Sequence, residues 1–82
     1  MEDTRIGIVG IVVEDLHSAT QVSAVLHDYA QIIVGRMGVP YRQRGISIIS
    51  LIVDGDEDII SSMTGKLGRI PKVSVKCTLV KA

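Results

Sequence analysis

Two stretches of this chain, residues 6–13 (Ile-Gly-Ile-Val-Gly-Ile-Val-Val) and 46–53 (Ile-Ser-Ile-Ile-Ser-Leu-Ile-Val), carry no charged side chain and are apolar at both odd and even positions. Each run is short for a helix, and β-branched residues suit a pleated surface, so both read as strands. Alternate side chains of a strand point to opposite faces. The first run therefore sets Ile6, Ile8 and Val12 against Val9, Ile11 and Val13, and the second sets Ile46, Ile48 and Ile52 against Ile49, Leu51 and Val53. A strand apolar on both faces requires both faces to be covered. That requirement limits the fold more than any other feature, because the chain offers only two helices to do the covering.

The first helix is signalled by Ser18-Ala19-Thr20-Gln21, which has the spacing of a capping box. Val22, Val25, Leu26, Tyr29 and Ile33 follow at three- and four-residue steps as one apolar stripe, and Gly35 is the expected stop. In the second, Asp54-Gly55-Asp56 ends the preceding strand and caps the helix. Glu57 and Asp58 sit where the helix dipole favours negative charge, and Lys66 and Arg69 where it favours positive. Its buried stripe is Ile59, Ile60, Met63, Leu67 and Ile70, with Gly68 and Pro71 closing it. Gly65 inside that helix costs about 1 kcal/mol relative to Ala, which suggests close packing there.

Residues 32–44 carry Gly38 and Pro40 and end before Gly45, which argues against a central strand and for an irregular edge strand or a long loop. Residues 73–80 alternate, with Val73, Val75, Cys77 and Leu79 on one side and Ser74, Lys76 and Thr78 on the other. This is a half-exposed strand, expected to lie away from whatever covers the first and third.

The implied order is strand-helix-strand-strand-helix-strand in a single domain spanning residues 1–82. Two helices cover one face of a four-stranded sheet. The other face is left with about four to six Ile and Val side chains, whose exposure at ~25 cal/mol per Å² costs several kcal/mol. At 82 residues, 46% apolar but without Phe or Trp, the domain has little core to spare. Homo-oligomerisation, as a dimer or tetramer, is the expected remedy.

Formal net charge is zero, so no global field draws the chain to nucleic acid or an anionic membrane. Charge is nevertheless segregated. Arg36, Arg42 and Arg44 form a basic stretch, Asp54, Asp56, Glu57 and Asp58 an acidic one, and the last quarter is basic again. The single Cys77 forms no internal disulfide, and no signal peptide or membrane-length apolar run is evident, so a cytoplasmic location is expected.

A search for reactive chemistry excludes more than it finds. His17 and His27 match no zinc spacing, although they could ligate a metal across an oligomer interface. No Gly-x-Ser-x-Gly elbow surrounds any serine, and the acidic cluster is better explained as turn and cap residues than as a catalytic pair. Gly65-Lys66 lacks the upstream glycine of a phosphate-binding loop, and Gly7 and Gly10 make no dinucleotide fingerprint but suit the close approach of a neighbouring backbone. No enzyme and no cofactor are expected. Arg36, Arg42 and Arg44 could instead fork around a carboxylate or phosphate, with loop N–H groups near Gly38 and Gly45 assisting. A sheet face of Ile and Val lacks the aromatic platforms of RNA-binding sheets, and four residues before Arg5 leave no room for a DNA-reading ribbon. Direct nucleic-acid contact is not expected.

Glu14-Asp15-Leu16-His17-Ser18-Ala19-Thr20-Gln21, Leu26-His27-Asp28-Tyr29-Ala30, Ile33-Val34-Gly35-Arg36-Met37-Gly38-Val39-Pro40-Tyr41 and Gly65-Lys66-Leu67-Gly68 resemble a small family, the iron-only hydrogenase system regulators. The resemblance spans nearly the whole chain. It implies an α+β, ferredoxin-like (ACT-like) βαββαβ sandwich, a four-stranded antiparallel sheet with two helices on one face, similar to the C-terminal domain of the nickel-responsive repressor. That domain binds metal through histidines and a cysteine around its second and third strands. Between Ala30 and Asp56 this chain has neither, so no nickel site carries over. ACT-like domains commonly bind amino acids near the first strand-to-helix junction, which here means Asp15, Leu16 and His17. The expected role is thus an oligomeric regulatory module of the hydrogenase system, sensing a small ligand through Asp15, Leu16, His17, Arg36, Arg42 and Arg44. The alternatives are a non-enzymatic scaffold acting through its oligomer surface and a metal-binding protein using interface histidines.

Overall fold

Both all-apolar runs are strands, and they pair with each other. The computed structural model describes residues 4–82. In chain order the elements are β1 (Thr4–Val13), α1 (Leu16–Asp28), β2 (Ile33–Tyr41), β3 (Ile46–Asp56), α2 (Glu57–Gly68) and β4 (Val73–Val80), with short 3-10 turns at Ala30–Ile32 and Arg42–Arg44. The sheet runs β2-β3-β1-β4 and every pairing is antiparallel. β1 and β3 are its centre, in register from Thr4 opposite Asp56 to Val13 opposite Ser47. The architecture is the ferredoxin-like α+β fold.

The helices cover one face. Under them lie Val9, Ile11 and Val13 of β1 and Leu51 and Val53 of β3, packed against Val22 and Leu26 of α1 and Ile60, Met63 and Leu67 of α2. Gly7 belongs to this layer. A Cβ there would lie 2.8 Å from a Val53 methyl and 3.0 Å from a Leu79 methyl, so the glycine admits neighbouring side chains onto the central strand. Gly10, three residues on and also read as a close-approach glycine, faces the other side, where a Cβ would meet nothing within 4 Å.

Several local expectations shift. α1 starts at Leu16, capped by Asp15, whose carboxylate accepts the His17 N–H at 3.0 Å. Ser18 is buried instead, and its hydroxyl donates to the Pro71 carbonyl. The helix stops at Asp28, well before Gly35, which lies in β2 beside a bulge between Ile33 and Gly35. β3 runs on through Asp54-Gly55-Asp56, and the Asp56 side chain makes no capping bond to α2. Ile59 is exposed on α2, and a Cβ at Gly65 would touch nothing, so no close packing explains that glycine. β4 is not set apart from the helices: Val73, Val75 and Leu79 pack against the core beneath α2, while Ser74, Lys76 and Thr78 face the open side. β2 is an edge strand, with Pro40 opposite Ser47.

Among the described residues no helix is long and apolar enough to cross a membrane.

Candidate ligand-binding site

Two chain reversals meet at one end of the sheet, on the helix side. In the first, β1 ends at Val13 and Asp15, in extended conformation, opens α1. Its position is held from behind. The Glu14 N–H donates to the Lys72 carbonyl at 2.9 Å, and Ser18 reaches Pro71, tying the start of α1 to the segment between α2 and β4. Lys72 adopts a left-handed φ of 66°, a conformation that costs a non-glycine residue about 1 kcal/mol or more.

The second reversal joins β2 to β3. After Tyr41 the chain makes the turn Arg42–Arg44, and Gly45, at φ 66°, returns it to β3 while its N–H donates to the Arg42 carbonyl at 3.1 Å. Glycine fits that left-handed position without strain.

Between the reversals lies a cleft of about 420 Å³ lined by Val13, Asp15, Leu16, Ala19, Pro40, Arg42, Gly45, Ile46 and Ser47. Its walls are chiefly apolar, with one carboxylate and one guanidinium. Leu16, at the first position of α1, is 86% exposed.

Of the residues the sequence singles out, Asp15, Leu16 and Arg42 come together here, while His17 and Arg44 do not line the cleft. Arg36 is elsewhere. It lines a separate groove of about 490 Å³ between α1 and β2, together with Ser23 and His27. Arg42 lies six positions further along the chain, about 20 Å of extended strand. The three arginines therefore form no single fork. Pro40, Ile46 and Ser47 were not anticipated as lining residues. Gly45 was the available signal, because a left-handed glycine after a short turn folds its two flanking strands into a hairpin.

Two other clusters lie apart from the cleft. Tyr29, at the end of α1, shares a hydrogen bond of 2.8 Å with Ser62 of α2, and the Lys66 ammonium lies 5.1 Å from the centre of its ring. Lys66, then Ser62, hold the phenol below its usual pKa, and the same contact with Tyr29 raises that of Lys66. Partial burial pushes the Cys77 thiol up, away from nucleophilic character. Among the described residues no three His, Cys, Asp or Glu side chains are grouped to hold a metal ion.

Over residues 5–77 the chain matches the family profile named TM1266-like, described as "Iron-only hydrogenase system regulator, putative". No curated protein matches it. Among solved structures, the uncharacterized protein TM1266 from Thermotoga maritima is 37% identical and superposes with a TM-score of 0.91, over 95% of this chain and 99% of that one. A formyltetrahydrofolate deformylase from Pseudomonas putida KT2440 reaches a TM-score of 0.64 at 11% identity, over 89% of this chain but 28% of the enzyme. An unknown protein from Galdieria sulphuraria reaches 0.63 at 19% identity, over 98% of this chain and 52% of that one. At these identities the latter two share the fold alone.

Proposed function

This chain belongs to the TM1266-like family of iron-only hydrogenase system regulators, and from that premise we propose that it is a non-enzymatic regulatory module whose signal is a small ligand held in the cleft at the β1–α1 junction. The observation that carries the reading is that Asp15 and Arg42 line the same apolar-walled cleft of about 420 Å³. Arg42 offers a planar fork that suits a carboxylate. Asp15 already accepts one backbone N–H, and a carboxylate retains lone pairs for an ammonium. Val13, Ala19 and Pro40 offer apolar contact to whatever lies between the charges. A small zwitterion with an apolar side chain, an amino acid, meets all three demands.

A thermal-shift series over the amino acids and simple carboxylates tests this, since a ligand that binds the native state raises its melting temperature with concentration. A saturable rise is expected for at least one amino acid. Arg42→Ala and Asp15→Asn should each abolish it. Asparagine is as good a helix cap as aspartate, so the second variant removes the charge and keeps the start of α1. A protein indifferent to the whole panel is not a sensor of this kind.

A further inference from the structure

The sheet face opposite the helices is the broadest apolar surface of the molecule. Its centre carries Ile8 at 56% exposure and Ile52 at 48%, flanked by Met37, Val39 and Tyr41 of β2 and Val80 of β4. Strand alternation confines its charges to the margins, with Asp54 and Asp56 at one end of β3 and Lys76 on the edge strand. An uncharged patch of this breadth, rimmed by polar groups, marks an interaction surface.

Its relief indicates what fits it. The register sets Ile8 opposite Ile52, a ridge across the two central strands, and sets Gly10 opposite Ser50 in the next row. With nothing within 4 Å of a Cβ at Gly10, the middle of that row is a hollow, flanked by Met37 on β2 and Lys76 on β4. Val12 opposite Ile48 closes it on the far side. Ridge and hollow are neighbouring rows, about 7 Å apart along the strands. A two-fold axis lying in the face, across the strands and midway between these rows, carries each ridge over the hollow of a second copy. The surface is complementary to itself.

The area is adequate. Four strands at ~4.8 Å spacing and about nine residues at ~3.4 Å each give roughly 590 Å² in projection. A pleated face bearing side chains exposes more than its projection, which brings it near the ~800 Å² per partner of a stable interface.

We infer that this face is the interface between two copies of the chain, packed sheet on sheet about a two-fold axis with Ile8 and Ile52 of each copy seated over Gly10 and Ser50 of the other. A central cluster of buried aliphatic anchors inside a polar rim is the arrangement that carries most of an interface's affinity.

Sedimentation velocity and native mass spectrometry of the ligand-free protein at micromolar concentration test it. The unaltered chain should be a dimer. Ile8→Lys and Ile52→Lys, which leave the helix-covered core untouched, should weaken the dimer by about a hundredfold or more, whereas Ile59→Lys on the outer surface of α2 should leave it intact. Gly10→Val is the sharper variant. It has room on the isolated sheet but fills the hollow, so it should dissociate the dimer without lowering the stability of the monomer. Should a lysine variant fail to fold, Gly10→Val still decides. A monomeric unaltered protein, or a dimer indifferent to Gly10→Val, overturns the inference. Either result leaves ligand binding in the cleft to be judged on its own.

Discussion

Along β1 the two sides of one strand have different fates. Val9, Ile11 and Val13 are fully or almost fully buried beneath the helices, whereas Ile6 and Val12 are half-buried and Ile8 is exposed. The residue types are nearly the same. What differs is the layer laid over them: α1 and α2 supply Val22, Leu26, Ile60, Met63 and Leu67 to one side, and no element among the described residues covers the other. Hydrophobicity in a strand thus states a demand for cover, and only the arrangement of the other elements says from where it is met.

Neighbouring residues on opposite faces can break this comparison. The largest expected effect is Leu51→Ala, which empties part of the covered core and should cost about 3 kcal/mol, against less than about 1 kcal/mol for Ile52→Ala in dilute, monomeric protein. Urea denaturation of the pair measures both. Equal losses would mean that Ile52 has cover within the chain. Gly7→Ala should come next, at about 1–3 kcal/mol, because its methyl would meet Val53 and Leu79 inside contact distance. Gly10→Ala should instead gain about 0.5 kcal/mol from a stiffer unfolded chain. A loss at Gly10 would show that its side of the sheet is not open.

The smallest effect belongs to the outer surface of the helix layer. The Tyr29 phenol is lowered and the Lys66 ammonium raised, each chiefly by the other. Phenolate and ammonium coexist only between those two values, so any stabilising contribution is alkaline. The tyrosine's part is present above its unfolded pKa and lost as pH falls through the lowered folded value. The lysine's part, which needs the phenolate opposite it, is present between the lowered tyrosine value and its own raised one, and is lost as pH rises through the latter. Both groups are exposed, so stability at neutral pH should not change in Lys66→Met. The tyrosine absorbance titration should change, moving to higher pH in that variant.

The central strands were legible because an uncharged run apolar on both faces has few other uses, and the helix stripes because Val22 and Leu26, or Ile60, Met63 and Leu67, repeat at helical steps. The start of α1 was not. Asp15 and Ser18 are both good caps by local chemistry, and the choice turned on Pro71, a hydrogen-bond partner 53 residues away from Ser18. The placement of β4 was likewise misjudged: its alternation gave the correct two sides but not which of them α2 would cover. Within the candidate site, Asp15 and Leu16 could be picked out from the chain reversal and Arg42 from its charge. Their meeting depends on the hairpin closed by Gly45, which brings segments distant in sequence to one end of the sheet.

The position of β1 has a consequence for how the molecule is made. It precedes β3, the other strand flanked on both sides in the finished sheet, and its own neighbours are β3 and β4. Its first neighbour arrives only after residue 46 and its second only after residue 73. Until then residues 6–13, uncharged, proline-free and rich in β-branched side chains, have two open edges, a composition that readily pairs with other chains. The β2–β3 hairpin is the one pairing available early, and every other pairing closes a long loop. Completion of the sheet therefore waits for β4, and β1 waits longest for its partners.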